Sequence, residues 1–167
     1  MFTLTPIGTV RNEVKTPIVK GWGKVVSDLV LDERYTDALD GLEDYSHVLV
    51  IFWMDQAGPP KSLKGHVQGR EDLPVAGLFA RRGPSRPNPI GVTAVPHLHR
   101  EKNVLRVQGV DAIDGTPLLD VKPYTPAFDS VENARIPEWC KRVYKIEGYF
   151  YSRNQNRKCR RPTIGQA

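Results

Sequence analysis

Two stretches of this chain carry residue types whose spacing could do chemistry. The first is "ARRGPSRPNPIGVTAV" at 80–95, with three arginines, three prolines and two glycines. Arg82 and Arg86 flank the tripeptide GPS, and Pro87 and Pro89 fix the backbone around Asn88. Proline locks φ, so such a loop is stiff before anything binds and loses little entropy when it does. A guanidinium fork holds a carboxylate or a phosphate through paired hydrogen bonds. Gly91, just beyond, is expected to let a ligand lie close against the backbone. The second stretch is "GVDAIDGTPLLDVKPY" at 109–124. Asp114-Gly115 signals a tight turn between two β-runs, which by itself accounts for Asp114. Asp111 and Asp120 are expected on the flanking strands, with Lys122 close by. Carboxylates beside exposed backbone amides can grip a ribose hydroxyl, an amino group or a cation.

Other chemistries find less support. His97 and His99 would project from one side of a strand, yet no third ligand is near them in sequence, so no metal is expected. Cys140 and Cys159 have no CxxC or Cys/His spacing and read as a pair of reduced structural thiols. No GxGxxG opens a helix after a strand, and there is neither a Walker loop nor a GxSxG elbow.

The charge is divided unevenly. The chain has 24 basic and 19 acidic residues. Residues 151–167 hold Arg153, Arg157, Lys158, Arg160 and Arg161 and no acid, so the body carries 19 of each and the whole excess of five lies in the tail. A basic tail on a neutral body adds affinity for a phosphate backbone without altering the fold. At 167 residues, 40% hydrophobic and 26% charged, the chain has the size and composition of one soluble domain with a tail. No run approaches the ~20 apolar residues that cross a bilayer, and "MFTLTPIGTV" does not read as a signal peptide, so a cytoplasmic protein with no membrane partner is expected.

The elements that must position these residues read mainly as strands, at 7–13, 23–31, 47–54, 74–81, 90–100, 104–113, 117–124 and 142–152. The run 47–54, "HVLVIFWM", is continuously apolar, as for a strand buried on both faces. Residues 32–45 carry Tyr35, Ala38, Leu39 and Leu42 at helical spacing with Asp32 as N-cap, and a short helical turn is expected after Pro137. Residues 58–73 read as a long polar loop. Many short strands with Gly/Pro turns predict a small closed β-structure.

The stretches "IGTVRNE", "LEDYSHVLVIFWMDQ", "ARRGPSRPNPIGVT" and "GVDAIDGTPLLDVKPYTP" together resemble the YaeB-like family, the tRNA threonylcarbamoyladenosine methyltransferases, over residues 5 to 150. The resemblance implies a small antiparallel β-barrel at 1–150 that binds S-adenosylmethionine as a homodimer, followed by a strand end and basic tail at 151–167. It implies methylation of N6 of a threonylcarbamoyl-bearing adenosine beside the anticodon of a threonine tRNA. Cofactor contacts carried over by position are Asp55 and Gln56 at "MDQ", Arg82, Val92, and Asp114, Gly115, Thr116 and Pro117 at "DGTP". Pro17 and Ile18 occupy the place of a first-loop contact, although "KTPIVKGWGK" departs from the bacterial pattern there. Bacterial members also carry an extra C-terminal domain where this sequence has its basic tail.

Positioning dominates such a reaction, with Arg82 expected on the cofactor carboxylate and Asp114 with the Gly115 and Thr116 amides on its polar atoms. The acceptor nitrogen has a delocalised lone pair, so a carboxylate base, Asp111 or Asp114, is expected to help. Arg86, Arg157, Lys158, Arg160 and Arg161 are expected on tRNA phosphates or the threonyl carboxylate. Two alternatives stand beside this reading. One is a non-enzymatic RNA-binding barrel with "GYFYSR" as a stacking platform. The other is a methyltransferase with a small-molecule acceptor, for which the basic tail would be surplus.

Overall fold

The computed structural model describes residues 3–146, which fall into two compact units divided between Glu132 and Asn133. The first unit is a closed antiparallel barrel, as the strand pattern predicts. Its six strands are β1 (Gly8–Arg11), β2 (Val26–Leu31), β3 (His47–Trp53), β6 (Ile90–Glu101), β7 (Val104–Gln108) and β8 (Pro117–Pro123), in the order β1-β2-β7-β6-β3-β8. Two short strands inserted between β3 and β6, β4 (Lys64–His66) and β5 (Val75–Gly77), form a separate two-stranded sheet.

Period-two patterning explains the closure. Alternate residues of each strand turn inward and fill the lumen with aliphatic side chains and one phenyl ring: Val10, Leu29, Leu31, Val48, Val50, Phe52, Val95, Leu105, Val107 and Leu118 are all buried. β3 is therefore not buried on both faces as its continuous apolar run implies. Val48, Val50 and Phe52 are inside, while Leu49, Ile51 and Trp53 cover the outer face and remain half-buried. Phe52 lies opposite Gly91 of β6, and a Cβ on Gly91 would stand 2.2 Å from its ring. The glycine makes room for this ring inside the barrel, so it does not serve the ligand approach expected for it.

Four expected elements differ. Residues 32–45 form three separate 3-10 turns, Glu33–Tyr35, Asp37–Leu39 and Leu42–Asp44. The segment is rich in residues that bond their own backbone, as when the Thr36 hydroxyl donates to the Glu33 carbonyl, and Gly41 adopts φ +83. Asp32 caps no amide; its carboxylate pairs with Arg34. The apolar stripe still packs as expected, with Leu39 buried and Tyr35 and Leu42 against the core. The strand read at 74–81 shortens to β5 and a 3-10 turn, and that read at 104–113 stops at Gln108. The polar loop at 58–73 contains β4.

In the second unit, residues 142–146 belong to helix α2 (Glu138–Ile146), not to a strand. Trp139, Cys140, Val143 and Ile146 follow a helical period that local alternation disguised. The turn expected after Pro137 is the start of this helix, where the Cys140 amide donates to the Pro137 carbonyl at 3.0 Å. Cys140 is a free, buried thiol whose pKa is pushed up by desolvation. The remainder of the strand read at 142–152, the boundary at 150, Cys159 and all the tail residues lie outside the described residues. A four-residue helix, α1 (Pro126–Asp129), follows β8 in the first unit.

Candidate functional site

The strand register gathers the sequence-predicted residues on one rim. β3 ends at Trp53 where β6 begins at Ile90 and where Leu118 starts down β8. β1 ends opposite the start of β2, and Val26 of β2 faces Gln108 at the end of β7. The β1–β2 connection (12–25), the β3–β6 connection (54–89) and the β7–β8 connection (109–116) therefore open at the same end of the barrel. Pro17, Ile18, Asp55, Gln56, Arg82, Val92, Asp111 and Asp114–Pro117 all belong to this end. Among the described residues no hydrogen bond joins Arg82 to the Asp114 turn.

The Asp114-Gly115 turn forms as expected, with Gly115 at φ +85, but it does not close a hairpin, since β7 and β8 are not neighbours. It clasps the end of β1. The Asp114 amide donates to the Val14 carbonyl at 2.8 Å and the Gly115 amide to the Val10 carbonyl at 2.9 Å. The Thr116 amide donates to the Ile113 carbonyl at 3.2 Å, and its own carbonyl accepts from Val10. The Gly115 and Thr116 amides are thus consumed by the fold and do not meet the expectation that they hold a ligand. The Asp114 carboxylate accepts from the Asn12 amide at 3.1 Å and pairs with Lys15 at 2.8 Å and Arg11 at 3.7 Å. The Lys15 hydrogen bond, then that of the Asn12 amide, holds its pKa below the ordinary carboxylate value. A carboxylate so stabilised is a weak base.

Asn12 is the hub of this clasp, and the sequence pattern does not single it out. Its Nδ2 donates to the buried Ser27 hydroxyl at 3.0 Å and to the Ala112 carbonyl at 2.9 Å, while its Oδ1 accepts from the Val14 amide at 2.9 Å. The only sequence signal is an asparagine placed where the β1 alternation stops.

Asp111 is differently placed. It follows β7 rather than lying on it, is exposed, and accepts a hydrogen bond from the hydroxyl of Thr93 on β6. No other protein donor reaches it among the described residues. Asp120 is on β8, as expected, and is paired with Lys122 at 2.6 Å. The amides of Val110, Asp111, Ala112 and Ile113 donate to no protein acceptor among the described residues. Of these four residues only Asp111 is exposed; Val110, Ala112 and Ile113 are buried.

The arginine loop is organised from within. Arg82 Nη2 donates to the Val92 carbonyl at 2.8 Å, tying the loop to β6 and leaving most of its five N–H donors open. Arg86 is half-buried; its Nη1 donates to the Arg81 carbonyl at 2.7 Å, and its guanidinium sits 5.5 Å from the Phe79 ring centroid. It braces the loop rather than projecting from it. Pro17 and Ile18 are exposed, and the Ile18 carbonyl accepts from the Trp22 indole at 3.0 Å. Asp55 and Gln56 are exposed in the turn after β3.

His97 and His99 stand near the other end of β6. A register shift in the β6–β7 pairing falls between them, and among the described residues no three His, Cys, Asp or Glu side chains converge on a metal site. They line an open cleft of about 660 Å³ with Glu43, Asp44, Tyr45, Ser46, Leu98, Arg100 and Lys102.

The closed six-stranded barrel, with the Asp114 clasp and the braced arginine loop on one rim, is not one of the α/β nucleotide folds. The chain belongs to the family described as the tRNA-methyltransferase O N-terminal domain, which matches residues 9–130. Known proteins agree with this membership. The chain is similar to an S-adenosyl-L-methionine-binding protein of Archaeoglobus fulgidus, 38% identical across 77% of this chain and 93% of that protein. It is also 40% identical, over 60% of its length, to 23% of the human tRNA (adenine(37)-N6)-methyltransferase. The crystal structure of TrmO from Pseudomonas aeruginosa superposes with a TM-score of 0.68 at 32% identity, covering 81% of this chain and 61% of that one. The chain thus spans about three fifths of the solved structure it matches.

Proposed function

We propose that this chain is an S-adenosylmethionine-dependent tRNA methyltransferase that methylates N6 of a threonylcarbamoyl-bearing adenosine beside the anticodon of a threonine tRNA, acting as a cytoplasmic homodimer. Family membership and the named relatives support the methyl donor and the tRNA substrate. The structural observation that carries the reading is the composition of one rim: exposed carboxylates at Asp55 and Asp111, the unpartnered amide of Asp111, and Arg82 with donors to spare.

These residues fit S-adenosylmethionine. Its α-carboxylate suits Arg82 and the unpartnered amide of Asp111, and its amino group and ribose hydroxyls suit Asp55 and Gln56. The exposed side chains of Val92, Pro17 and Ile18, with Pro117, offer apolar walls for adenine. When bound, the cofactor supplies a sulfonium methyl as the electrophile. The protein's own share is to orient the acceptor and take its proton. Of the two candidate bases, Asp111 suits proton removal, because its carboxylate is exposed and keeps an oxygen free of protein donors. Asp114 is saturated by Lys15, Arg11 and the Asn12 amide and serves to hold the loops. The Thr93 hydroxyl fixes the orientation of Asp111. Arg157, Lys158, Arg160 and Arg161 of the tail serve tRNA phosphates in this reading, and Arg86 supports them by shaping the loop.

Isothermal titration with S-adenosylmethionine, then mass analysis of adenosines from incubated threonine tRNA, tests the proposal. Binding in the absence of RNA is expected, as is a mass gain of one methylene on the threonylcarbamoyl nucleoside. Asp111→Asn should bind the cofactor within about twofold of wild type and turn over about 10²- to 10⁴-fold more slowly. A chain that binds RNA but no S-adenosylmethionine would instead be a non-enzymatic RNA module.

A further inference from the structure

Phe79 is 77% exposed, although its neighbours are pinned. It lies in the 3-10 turn Leu78–Ala80, which leads from β5 into the arginine loop. Leu78 is buried, and its amide donates to the Leu63 carbonyl at 2.8 Å. Arg86, tied to the Arg81 carbonyl, lays its guanidinium against the ring. Backbone and cation therefore hold a phenyl ring out in water at a set position, where apolar surface is unfavourable unless something covers it.

The surroundings identify the kind of cover. From Pro74 to Arg100 the chain contains no acidic residue, whereas Arg81, Arg82 and Arg86 follow Phe79 within seven positions. The loop that bears them is bonded through Arg82 to Val92, on the rim that holds Asp111. An aromatic face among guanidinium groups is how proteins grip unpaired nucleic acid: bases stack on the ring while cations meet the phosphates. An apolar partner would leave these positive charges uncompensated, whereas a nucleic acid answers both the ring and the cations. Phe128, 87% exposed, provides the contrast. It sits beside Asp129 in α1, and no cation stacks on its ring among the described residues.

We infer that Phe79, backed by Arg86, is a stacking platform for an unpaired base of the anticodon loop, next to the adenosine delivered to the rim. The inference rests on the proposed tRNA substrate and assigns the residue that recognises it. The test uses the full-length chain, with a threonine-tRNA anticodon stem-loop carrying 2-aminopurine at unpaired positions in turn. Phe79→Ala should weaken stem-loop binding about 5- to 150-fold. It should abolish the fluorescence quench at one position and raise KM for RNA, while leaving the salt dependence of binding and the affinity for S-adenosylmethionine unchanged. Phe79→Trp should retain binding and quenching, and Phe128→Ala should behave as wild type. Unchanged RNA affinity in Phe79→Ala overturns the inference, as does an equal loss in Phe79→Trp. The two readings fail separately. Normal methylation by Phe79→Ala with unaltered KM removes the platform alone. A wild-type protein that methylates no tRNA yet loses stem-loop binding in Phe79→Ala removes the methyltransferase reading alone.

Discussion

Gly91→Ala tests whether the barrel interior or the ligand dictates glycine at this position. The added methyl would meet the Cε2 and Cζ atoms of Phe52 at 2.2 Å and Cδ2 at 2.8 Å. Carbon pairs rest at about 3.5–4.0 Å, so the ring must retreat by more than about 1 Å. Phe52 is only 1% exposed and is walled in by the other inward residues, so retreat means displacing close-packed neighbours. Overpacking of this kind costs about 1–3 kcal/mol, and the depth of the overlap points to the upper end. For a protein of this size about 3 kcal/mol lowers Tm by roughly 6–12 °C. Urea unfolding should show a lower midpoint at unchanged slope. Adding Phe52→Leu should recover part of the loss, because the smaller side chain vacates the space, and the double-variant cycle would then show coupling. Gly115→Ala is the comparison: no atom lies within 4 Å, so only its φ of +85 is penalised, at about 1–2 kcal/mol. A Gly91→Ala protein as stable as wild type but with weakened S-adenosylmethionine binding would refute the packing account and restore the glycine to the ligand.

Two further outcomes are expected. Asp114 and Asp28 have folded-state pKa values lowered chiefly by Lys15 and by Arg106. The stability they contribute is present above the unfolded carboxylate value of ~3.9 and is lost as pH falls through the lower folded values. Thermal unfolding from pH 6 to pH 2 should therefore fall less steeply at the acid end in Asp114→Asn than in wild type, and identical profiles would contradict the clasp. Deleting residues 153–167 removes five positive charges. It should flatten the slope of log affinity for tRNA against log salt by up to about 3.5 while sparing S-adenosylmethionine binding, as measured by fluorescence anisotropy and titration. An unchanged slope would rule out the tail as an RNA contact.

The barrel was legible because its signal is redundant: each strand repeats the inward–outward alternation, and Gly/Pro turns mark the breaks. Where the pattern had two physical explanations, sequence chose poorly. The alternation along residues 142–146 suits a strand, and only Trp139 and Cys140, taken with Val143, reveal the helical period. The apolar run in β3 implied two buried faces, yet only every second residue enters the lumen. At the candidate site the residue types were legible and their bonding was not. Nothing in "DGTP" reveals that the Gly115 amide is taken by Val10, since that partner depends on β1 closing against β8, whereas the Thr116 amide bonds Ile113 within the turn itself. Asn12 and Thr93 escaped notice for the same reason. Their partners, Ala112 and Asp111, are 100 and 18 residues away, and single polar residues in a strand pattern carry no local mark.

The clasp also explains how two aspartates three positions apart come to differ. Asp114 lies where β1 leaves the barrel, and the chain end it meets carries Arg11, Asn12 and Lys15, so its charge is fully answered by the protein. Asp111 emerges from β7 beside β6, whose inward Thr93 offers one hydroxyl and no charge. Because Asn12 bonds the Ala112 carbonyl and Asp114 bonds the Asn12 amide, the segment between the two carboxylates is held from both ends. Asp111 is thereby fixed in direction while one of its carboxylate oxygens stays free of protein donors. Environment thus assigns one carboxylate to structure and leaves the other available to a ligand or a proton. Loosening the clasp, by Asn12→Ala for instance, should disturb S-adenosylmethionine affinity even though Asn12 itself is turned inward to Ser27.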